Sequence, residues 1–355
     1  MGQSGLVQPE FPSARLKRNQ HIVCSDCLLT SHFDRMSDKK ELSLGDDALQ
    51  RVKISEELLS RKPRKPAADE CCGNGCTLCV NDIYEQELAI WELECTRELQ
   101  YGPNYRESQQ GRPAISPDCY RSFTLQAIKK MTGCCSRYVF TVDDARCLGF
   151  TVGQHLIMRA SVEGEMVTRQ YTPISSPGDT GFFEVMIKVY PKGKMSKYIR
   201  TLQEGSSVEW RGPFGGLDYK PNMHKHLLLL AAGTGVAPMI QVLHHVTSMA
   251  DDYTMVRLLF GVAYYNEIYL KKELDELKHF WNVSILYCLS KETSVEDLKY
   301  GDEVHYGVID EELFEAELSK CRTPPHVLIC GPNSFNSRFV EHLKKKSSAM
   351  TWHVF

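Results

Sequence analysis

The chain has 355 residues, of which 42% are hydrophobic and 25% are charged, so it is long enough for two or three globular domains. Its net charge of -3 argues against a nucleic-acid-binding protein, and its fourteen scattered cysteines resemble reduced intracellular thiols more than a secreted disulfide framework. The longest apolar run, Leu227 to Ala232, is too short to span a membrane, and the first residues lack the apolar stretch of a signal peptide. We therefore expect an intracellular, cytoplasmic protein without a transmembrane segment, for which membrane or organelle association stays open.

Residues 1–66 are polar and weakly periodic, and they end in the basic, proline-containing RKPRKP. This composition predicts a mostly disordered region with one short helix within LQRVKISEELLS. Cys24 and Cys27 form a CxxC pair in this region. Because no second ligand pair lies nearby, idle thiols are favoured over a metal site.

Residues 67–100 form a cysteine-rich segment. The stretch ECCGNGCTLCV contains Cys71, Cys72, Cys76 and Cys79. Three interpretations stay open: ligands for zinc or an iron–sulfur cluster, a redox-active CxxC, or a thiol-rich docking element packed by Trp91. Ligands this close together would be strained around one metal ion, and the βαβ setting of a redox CxxC is absent.

Two further stretches precede the domains. IYEQELAIWELECTREL has apolar residues at helical spacing and predicts a short helix. Residues 101–118 are rich in glycine, proline and serine, which is typical of a linker.

The remainder of the chain contains two regions with different sequence patterns. Between residues 119 and 221, six short alternating runs broken by turns predict an antiparallel β-barrel. Between residues 222 and 355, the pattern of strand, glycine-rich turn and helix repeats, which predicts a mostly parallel α/β sheet.

The first chemically informative stretch of this α/β region is LLLLAAGTGVAP. Gly233, Thr234 and Gly235 follow a buried strand, and Pro238 suits the first turn of the next helix. Such a turn lets the backbone approach a diphosphate at a helix N-terminus, although a plain tight turn explains the same residues. Later, Cys330 and Gly331 end the last long strand, at the sheet edge where α/β proteins bind ligands.

Two motifs of the barrel region also carry binding chemistry. In RQYTPISS, Arg169 offers a bidentate fork for a diphosphate, Tyr171 a flat ring, and Thr172 a hydroxyl and an amide. In GKMS, Gly193 frees the backbone where a helix begins, and the following residues supply donors. Routine strand and helix-cap residues are the alternative explanation for both.

RQYTPISS, GKMS, AAGTGVAP and LICGP occur in the order and approximate spacing of the NADH–cytochrome b5 reductase family, which residues 119–355 resemble. The resemblance implies a ferredoxin-reductase-like fold, with an FAD-binding antiparallel β-barrel followed by a Rossmann-like parallel α/β domain that binds NADH. Residues 70–91 resemble the oxidoreductase-like N-terminal segment that precedes some such domains.

The resemblance also implies roles for individual residues. Thr172 would lie beside flavin N5, and Cys330 would lie near the site of hydride transfer. Glu267 would face the adenosine ribose, where a carboxylate favours NADH over NADPH. The residues that match the flavin-binding positions are Arg169, Tyr171, Thr172, Ser175, Lys188, Tyr190, Gly193, Lys194, Met195 and Ser196. Those that match the nucleotide-binding positions are Gly233, Thr234, Gly235, Pro238, Glu267 and Gly331.

Two short loops depart from the family pattern. Only Pro191 and Lys192 separate KVY from GKMS, and the loop after the sequence VEWRGPFGGLDY is brief. In the family both loops lie near the adenine of FAD, so the hold on that end is the weakest expectation, and FMN is a minor alternative.

The expected function is therefore that of an NADH–cytochrome b5 reductase-type oxidoreductase. It would pass a hydride from NADH to FAD and then single electrons to an acidic haem protein such as cytochrome b5. A cluster of lysines near the flavin would attract that partner, or it would be an ordinary charged surface: Lys188, Lys192, Lys194, Lys197 and Lys220. The alternative is a flavin-poor pseudo-enzyme or assembly protein that docks through its cysteine-rich segment.

Overall fold

A computed structural model describes residues 54–67, 80–101, 114–143, 146–346 and 350–355. Residues 1–53 and the predicted CxxC pair of Cys24 and Cys27 lie outside these ranges. The cysteine cluster from Cys71 to Cys79 and most of the predicted linker also lie outside them. No helix within the described ranges is both long and apolar enough to cross a membrane.

Six antiparallel strands form the first sheet, which confirms the predicted barrel. Their order in the sheet is β4-β3-β6-β1-β2-β5, and an isolated bridge between Pro173 and Val185 links β5 to the residues just after β4. Alternating side chains of β1 face the interior, whereas β3 is buried without interruption from Leu156 to Ala160. The strands are β1 (Arg121–Lys130), β2 (Cys135–Thr141), β3 (Gln154–Val162), β4 (Glu165–Tyr171), β5 (Phe182–Lys188) and β6 (Ser207–Gly215).

Three aromatic side chains fill the barrel interior. Phe140, Phe183 and Trp210 are fully buried, and their ring centroids lie 5.1–5.5 Å apart. Burial contributes roughly 1.5–3 kcal/mol for each phenylalanine, and the edge-to-face contacts fix the orientation of each ring. This cluster gives the adjoining end of β4 a rigid support.

Six parallel strands form the second sheet, which confirms the predicted α/β region. Their order is β10-β9-β8-β7-β11-β12, with the two glycine-rich turns after the adjacent strands β7 and β11. The strands are β7 (His226–Ala232), β8 (Met255–Val262), β9 (Val283–Leu289), β10 (Glu303–Tyr306), β11 (His326–Cys330) and β12 (Thr351–Val354).

Helices accompany both sheets. Helix α4 follows β7 and is buried along most of its length, as its apolar sequence predicts. Two single turns of 3-10 helix lie at Gly233–Gly235 and Tyr265–Glu267. The helices of these regions are α3 (Lys194–Ile199), α4 (Val236–Ser248), α5 (Lys271–Leu277), α6 (Glu311–Ser319) and α7 (Asn333–Lys344).

Two N-terminal helices pack against the outside of the barrel. The short helix expected within LQRVKISEELLS is α1 (Glu56–Ser60), and the helix expected after the cysteines is α2 (Val80–Tyr101). The expectation that the second helix is short was wrong, because α2 spans 22 residues without an internal glycine or proline. We call residues 54–67 together with α2 the N-terminal segment.

Buried charges hold the N-terminal segment to the barrel. Glu87 of α2 accepts a hydrogen bond from Arg211 of β6 at 2.6 Å, and the two side chains are only 7% and 2% exposed. Glu87 also accepts a hydrogen bond from the hydroxyl of Tyr120 at 2.7 Å. Arg159 of β3 reaches Glu94 of α2 at 3.3 Å. A charge pair that is excluded from water requires its partner, so α2 is part of the folded structure rather than an appended tail.

Candidate functional site

The RQYTPISS motif lies at the end of edge strand β4 and in the turn after it. Arg169 is exposed, and its guanidinium donates to the carbonyl of Thr168 at 2.6 Å. Within the described ranges no carboxylate forms an ion pair with Arg169. The guanidinium is therefore placed to receive an anion from outside the protein.

Tyr171 presents a supported aromatic ring at the same end of the strand. Its ring meets that of the buried Trp210 edge-to-face, with centroids 5.8 Å apart. Burial raises the pKa of the Tyr171 hydroxyl well above its ordinary value, so the phenol stays neutral. A neutral ring held in one orientation suits stacking against a planar ligand.

The residues after Tyr171 are fixed from both sides. The hydroxyl of Ser175 accepts the amide of Glu184 in β5 at 3.1 Å, so this predicted cofactor-binding residue also holds the loop to the barrel. On the other side, Gln241 of α4 donates to the carbonyl of Pro173 at 2.7 Å and accepts the amide of Gly153 at 2.8 Å. These bonds anchor Pro173 and Ser175, the residues that follow the half-buried Thr172.

Gln241 is a positioning residue that the sequence-based reasoning missed. It is 3% exposed, and both Pro173 and Gly153, its hydrogen-bond partners, lie at the barrel end that faces α4. The available signal was a single polar residue within the apolar run VAPMIQVL, six positions after Gly235. A buried amide there requires partners from outside its own helix.

The GKMS motif begins α3, as predicted. Gly193 precedes the helix, no side chain caps it, and the first amide groups therefore remain available to an anion. A Cβ at Gly193 would come within 2.8 Å of the Ser196 hydroxyl, so glycine is the residue that fits. Met195 and Ser196 are buried, whereas Lys194 is exposed and pairs with Glu165 at 2.7 Å.

The two-residue loop before α3 is folded back on itself. The hydroxyl of Ser196 accepts the amide of Tyr190 at 2.9 Å, and Arg200 donates to the carbonyls of Tyr190 and Pro191 at 2.7 and 3.2 Å. Tyr190 is 52% exposed beside this turn. The short loop is therefore a tight turn that Ser196 and Arg200 hold in place.

Lys188 lies at the end of β5 between two aromatic rings. Its ammonium is 5.7 Å from the ring centre of Tyr190 and 5.9 Å from that of Tyr269. Burial lowers the pKa of Lys188, but the hydrogen bond with Tyr269 and the electrostatic effect of Tyr269, Cys134 and Tyr190 together outweigh burial and raise the pKa overall. The side chain is thus a fixed cation close to the junction of the two sheets.

The two glycine-rich turns of the α/β sheet touch through their backbones. A Cβ at Gly235 would overlap the carbonyl oxygen of Cys330 and lie 2.5 Å from the carbonyl carbon. A Cβ at Gly331 would lie 2.9 Å from that of Ala232. Gly233 has a φ of +57° and open space beside it. The fold therefore brings Gly233, Gly235 and Gly331 together where β7 and β11 end.

Cys330 ends β11 at this contact. Burial raises the pKa of its thiol to about 12, so the group is a neutral thiol at physiological pH. A neutral, polarizable sulfur is suited to border an aromatic ring.

Thr234 and Pro238 begin the junction with the barrel. Thr234 lies in the 3-10 turn, and Pro238 is the third residue of α4. The residues before and after Pro238 belong to the same buried cluster as Ile174 of the RQYTPISS motif. The flavin-side motif and the nucleotide-side turn therefore share one packed interface.

Glu267 lies elsewhere, on the 3-10 turn after β8. Its neighbour Tyr265 donates its amide to Glu292 at 2.7 Å and its hydroxyl to Asp302. Lys271 and Lys278 also bind Asp302 and hold this loop. Glu267 is half-buried at the carboxyl end of β8, on the sheet edge that carries both glycine turns.

The described residues fit a flavin and a dinucleotide. Tyr171 supplies a supported ring, Arg169 and Lys194 supply cations, and α3 supplies uncapped amides. The open space beside Gly233 leaves room for a phosphate or a ring at the turn after β7. No group of three or more potential metal ligands occurs in the described ranges, and the four predicted cysteine ligands lie outside them, so that prediction stays a prediction.

Models of three known families match the chain. The model described as oxidoreductase FAD-binding domain matches residues 122–219, and the one described as oxidoreductase NAD-binding domain matches residues 229–341. A third, described as oxidoreductase-like protein, N-terminal, matches residues 58–99 and so covers most of the N-terminal segment.

Individual relatives agree with these matches. A human protein named NADH-cytochrome b5 reductase-like is 39% identical over 79% of this chain and 90% of its own length. NADH-cytochrome b5 reductase 1 of Dictyostelium discoideum is 36% identical over 68% of this chain and 84% of its own. The crystal structure of the cytochrome b5 reductase domain of Ulva prolifera nitrate reductase has a TM-score of 0.58 and 26% identity, over 68% of this chain and 100% of that domain.

These matches and the barrel-plus-α/β architecture agree over the whole region from β1 to α7. The chain therefore belongs to the NADH-cytochrome b5 reductase family, as an FAD- and NAD-binding oxidoreductase that carries an oxidoreductase-like N-terminal segment.

Proposed function

We propose that the protein oxidises NADH through bound FAD and delivers single electrons to an acidic haem protein such as cytochrome b5. The observation that carries this proposal is the interface at Gln241, which joins the loop around Thr172 to the helix after the Gly233–Gly235 turn. A donor and an acceptor ring that are bound on the two sides of this interface would be close enough to react. FAD when bound supplies the two-electron to one-electron conversion, which no amino-acid side chain provides.

The chain's own residues would bind, orient and exclude water. Arg169 and Lys194 would bind the diphosphate of FAD, together with the backbone of Gly193, Met195 and Ser196. Tyr171 would stack against the flavin, and the cation of Lys188 would lie near it. Thr172 would hydrogen-bond the flavin ring, and the neutral thiol of Cys330 would border the nicotinamide without exchanging a proton.

The absorption spectrum of the purified protein tests the enzyme proposal. We expect a yellow protein whose flavin bands bleach when NADH is added without oxygen and return when ferric cytochrome b5 is mixed in. A colourless protein that takes up no added flavin would contradict it, and would favour an assembly or docking role instead. Bleaching without cytochrome reduction would keep the NADH step and reject the haem partner.

We further propose that NADH is preferred over NADPH because Glu267 would bond the ribose hydroxyls and repel a 2′-phosphate. Glu267→Gln removes the charge but keeps the size of the side chain. We expect the ratio of kcat/KM for NADH to that for NADPH to fall by about tenfold, which corresponds to about 1.4 kcal/mol. Glu292→Gln, which alters the neighbouring loop anchor, is the control, and an unchanged ratio in Glu267→Gln would contradict the proposal.

The lysine cluster supports the acidic partner only in part. Lys194 and Lys197 are paired with Glu165 and Glu163, each at 2.7 Å. These exposed pairs reduce the local positive charge, so Lys192 and Lys220 would carry more of any electrostatic steering. Cytochrome reduction would then slow as ionic strength rises, but less steeply than five unpaired lysines would require.

A further inference from the structure

A cavity of about 700 Å³ lies between part of the N-terminal segment and the barrel. The outer wall is formed by residues between Arg61 and Pro66 and by the start of α2, including Tyr84. The inner wall is formed by β4 from Glu165 to Gln170, with Lys194 beside it. The volume lies within the usual range for small-molecule sites, which is about 300–1,000 Å³.

The cavity continues directly from the flavin motif. Arg169 and Lys194, which would bind the diphosphate, are both part of its wall, and Tyr171 is the next residue but one along β4. A diphosphate at Arg169 therefore has the ring site at Tyr171 on one side and this cavity on the other. The half of the ligand beyond the diphosphate would enter the cavity.

The lining is suited to a nucleoside phosphate. Five cationic side chains and two carboxylates line it. Arg61, Arg159 and Lys194 each pair with a carboxylate of the protein, whereas Arg169 forms no ion pair with a carboxylate of the described residues. Tyr84, Ile83 and nearby prolines add flat and apolar surface for a purine. The cationic residues are Arg61, Arg64, Arg159, Arg169 and Lys194.

The outer wall is held firmly in place. Arg61 pairs with Glu209 of β6 at 3.2 Å, and the indole of Trp91 donates to the carbonyl of Leu58 at 2.8 Å. Ser55 donates its amide to Glu98 at 2.9 Å. Together with the buried pair of Glu87 and Arg211, these bonds hold the outer wall of the cavity in a fixed position against the barrel.

The N-terminal segment, and not the short loop before α3, forms the outer wall of the cavity beside Lys194. Arg200 donates to the carbonyls of Tyr190 and Pro191, so the loop is held in a tight turn on the side of Arg200. We propose that the N-terminal segment completes the flavin site by binding the adenylate half of FAD in the cavity, with Arg64 and Tyr84 as contacts. This inference rests on the proposed function, since it requires FAD at Arg169.

Flavin affinities test the inference, because FMN has the same ring and lacks the adenylate half. The full chain is freed of flavin, and FAD and FMN are titrated separately by the quenching of flavin fluorescence. We expect wild-type protein to bind FAD more tightly than FMN. Arg64→Gln should weaken FAD binding about tenfold through loss of a charge-assisted hydrogen bond, and leave FMN binding within about twofold.

Two further variants separate binding from folding. Thr168→Trp fills the cavity from β4 and should weaken FAD binding by more than about tenfold while FMN binding persists. Lys65→Gln removes the same charge from the same stretch of chain, but Lys65 does not line the cavity, so neither flavin should be affected. Persistent FMN binding in Thr168→Trp shows that the barrel has folded.

Each other result would overturn the inference. Equal wild-type affinity for FAD and FMN, or unchanged FAD binding in both Arg64→Gln and Thr168→Trp, would place the adenylate elsewhere while flavin binding stands. Binding of ADP to the FAD-loaded protein that Arg64→Gln abolishes would assign the cavity to a free nucleotide. Binding of neither flavin by wild-type protein would reject the proposed function as well.

Discussion

The flavin side and the nucleotide side of the site are built in different ways. The barrel side presents charged and aromatic side chains: Arg169 and Lys194 are exposed, Tyr171 packs against Trp210, and the pair of Glu87 and Arg211 holds α2 to the barrel. On the α/β side, the backbones of Gly235 and Cys330 touch, and the side chains around them are apolar. The barrel side should therefore be sensitive to loss of charge, and the α/β side to added volume.

The largest effect is expected on the barrel side. Glu87→Leu leaves the guanidinium of Arg211 buried without its carboxylate, which should cost about 3–5 kcal/mol of unfolding free energy or release α2 from the barrel. Urea unfolding measures the first outcome, and limited proteolysis within Val80–Tyr101 measures the second.

The double variant Glu87→Leu with Arg211→Met is the matched control. It replaces the pair with apolar side chains of similar size and should recover the part of the loss that comes from the unpaired guanidinium. The part that comes from the hydroxyl of Tyr120 remains, because that hydroxyl loses its acceptor in both variants. A loss below about 1 kcal/mol in the single variant, with α2 still resistant to protease, would contradict the importance of this buried pair.

The corresponding test on the α/β side adds a single methyl group. Gly235→Ala pushes the β7 turn away from Cys330 and should cost about 1–3 kcal/mol by overpacking, with a larger loss of NADH affinity than of FAD affinity. Gly178→Ala, where nothing lies within 4 Å of the added Cβ, is the control and should be nearly neutral. Equal stability of the two variants would show that the turns have room to separate.

Acidification should affect both sides, because each side contains one histidine whose pKa is strongly lowered; His224, His226, His244 and His353 have lowered pKa values as well. Burial lowers the pKa of His155 in β3 to about 4, and burial together with His224 and His353 lowers the pKa of His326 in β11 to about 4. Between these values and the ordinary pKa of about 6.5, the unfolded chain binds more protons than the folded one, so stability falls as the pH falls. From pH 7 to pH 5 we expect a loss of about 2 kcal/mol in total, allowing for partial exposure.

The urea midpoint at each pH measures this loss. His155→Gln and His326→Gln should each remove part of the pH dependence, because glutamine does not titrate. Asp275, with a pKa of about 2, loses its stabilising contribution only below about pH 4 and so does not interfere in this window. An unchanged slope in both variants would contradict the assignment to these histidines.

Much of the fold was predictable from local patterns. Alternating residues predicted the six barrel strands, and the runs that end in AAGTG and LICGP predicted strands followed by turns. These patterns predict strands because the burial of one face, or of both faces, determines which neighbouring residues are apolar. The length of α2 was not predicted correctly, since the sequence suggested a short helix and α2 spans 22 residues. Helix length depends on packing, here against β3 and β6, as well as on helix propensity.

The candidate site, like the fold, was predictable where it depends on local sequence and not where it depends on contacts between elements. The sequence by itself determined the chemistry of the motifs, from Arg169 and Tyr171 to Gly235 and Cys330, because residue type and order are local properties. Only the tertiary structure decided that Gln241 joins the two domains, that Ser175 and Ser196 hold backbone amides, and that the N-terminal segment encloses a cationic cavity beside Arg169. Each of these contacts joins residues that lie on separate elements, and contact between separate elements is fixed by packing and burial rather than by any local pattern.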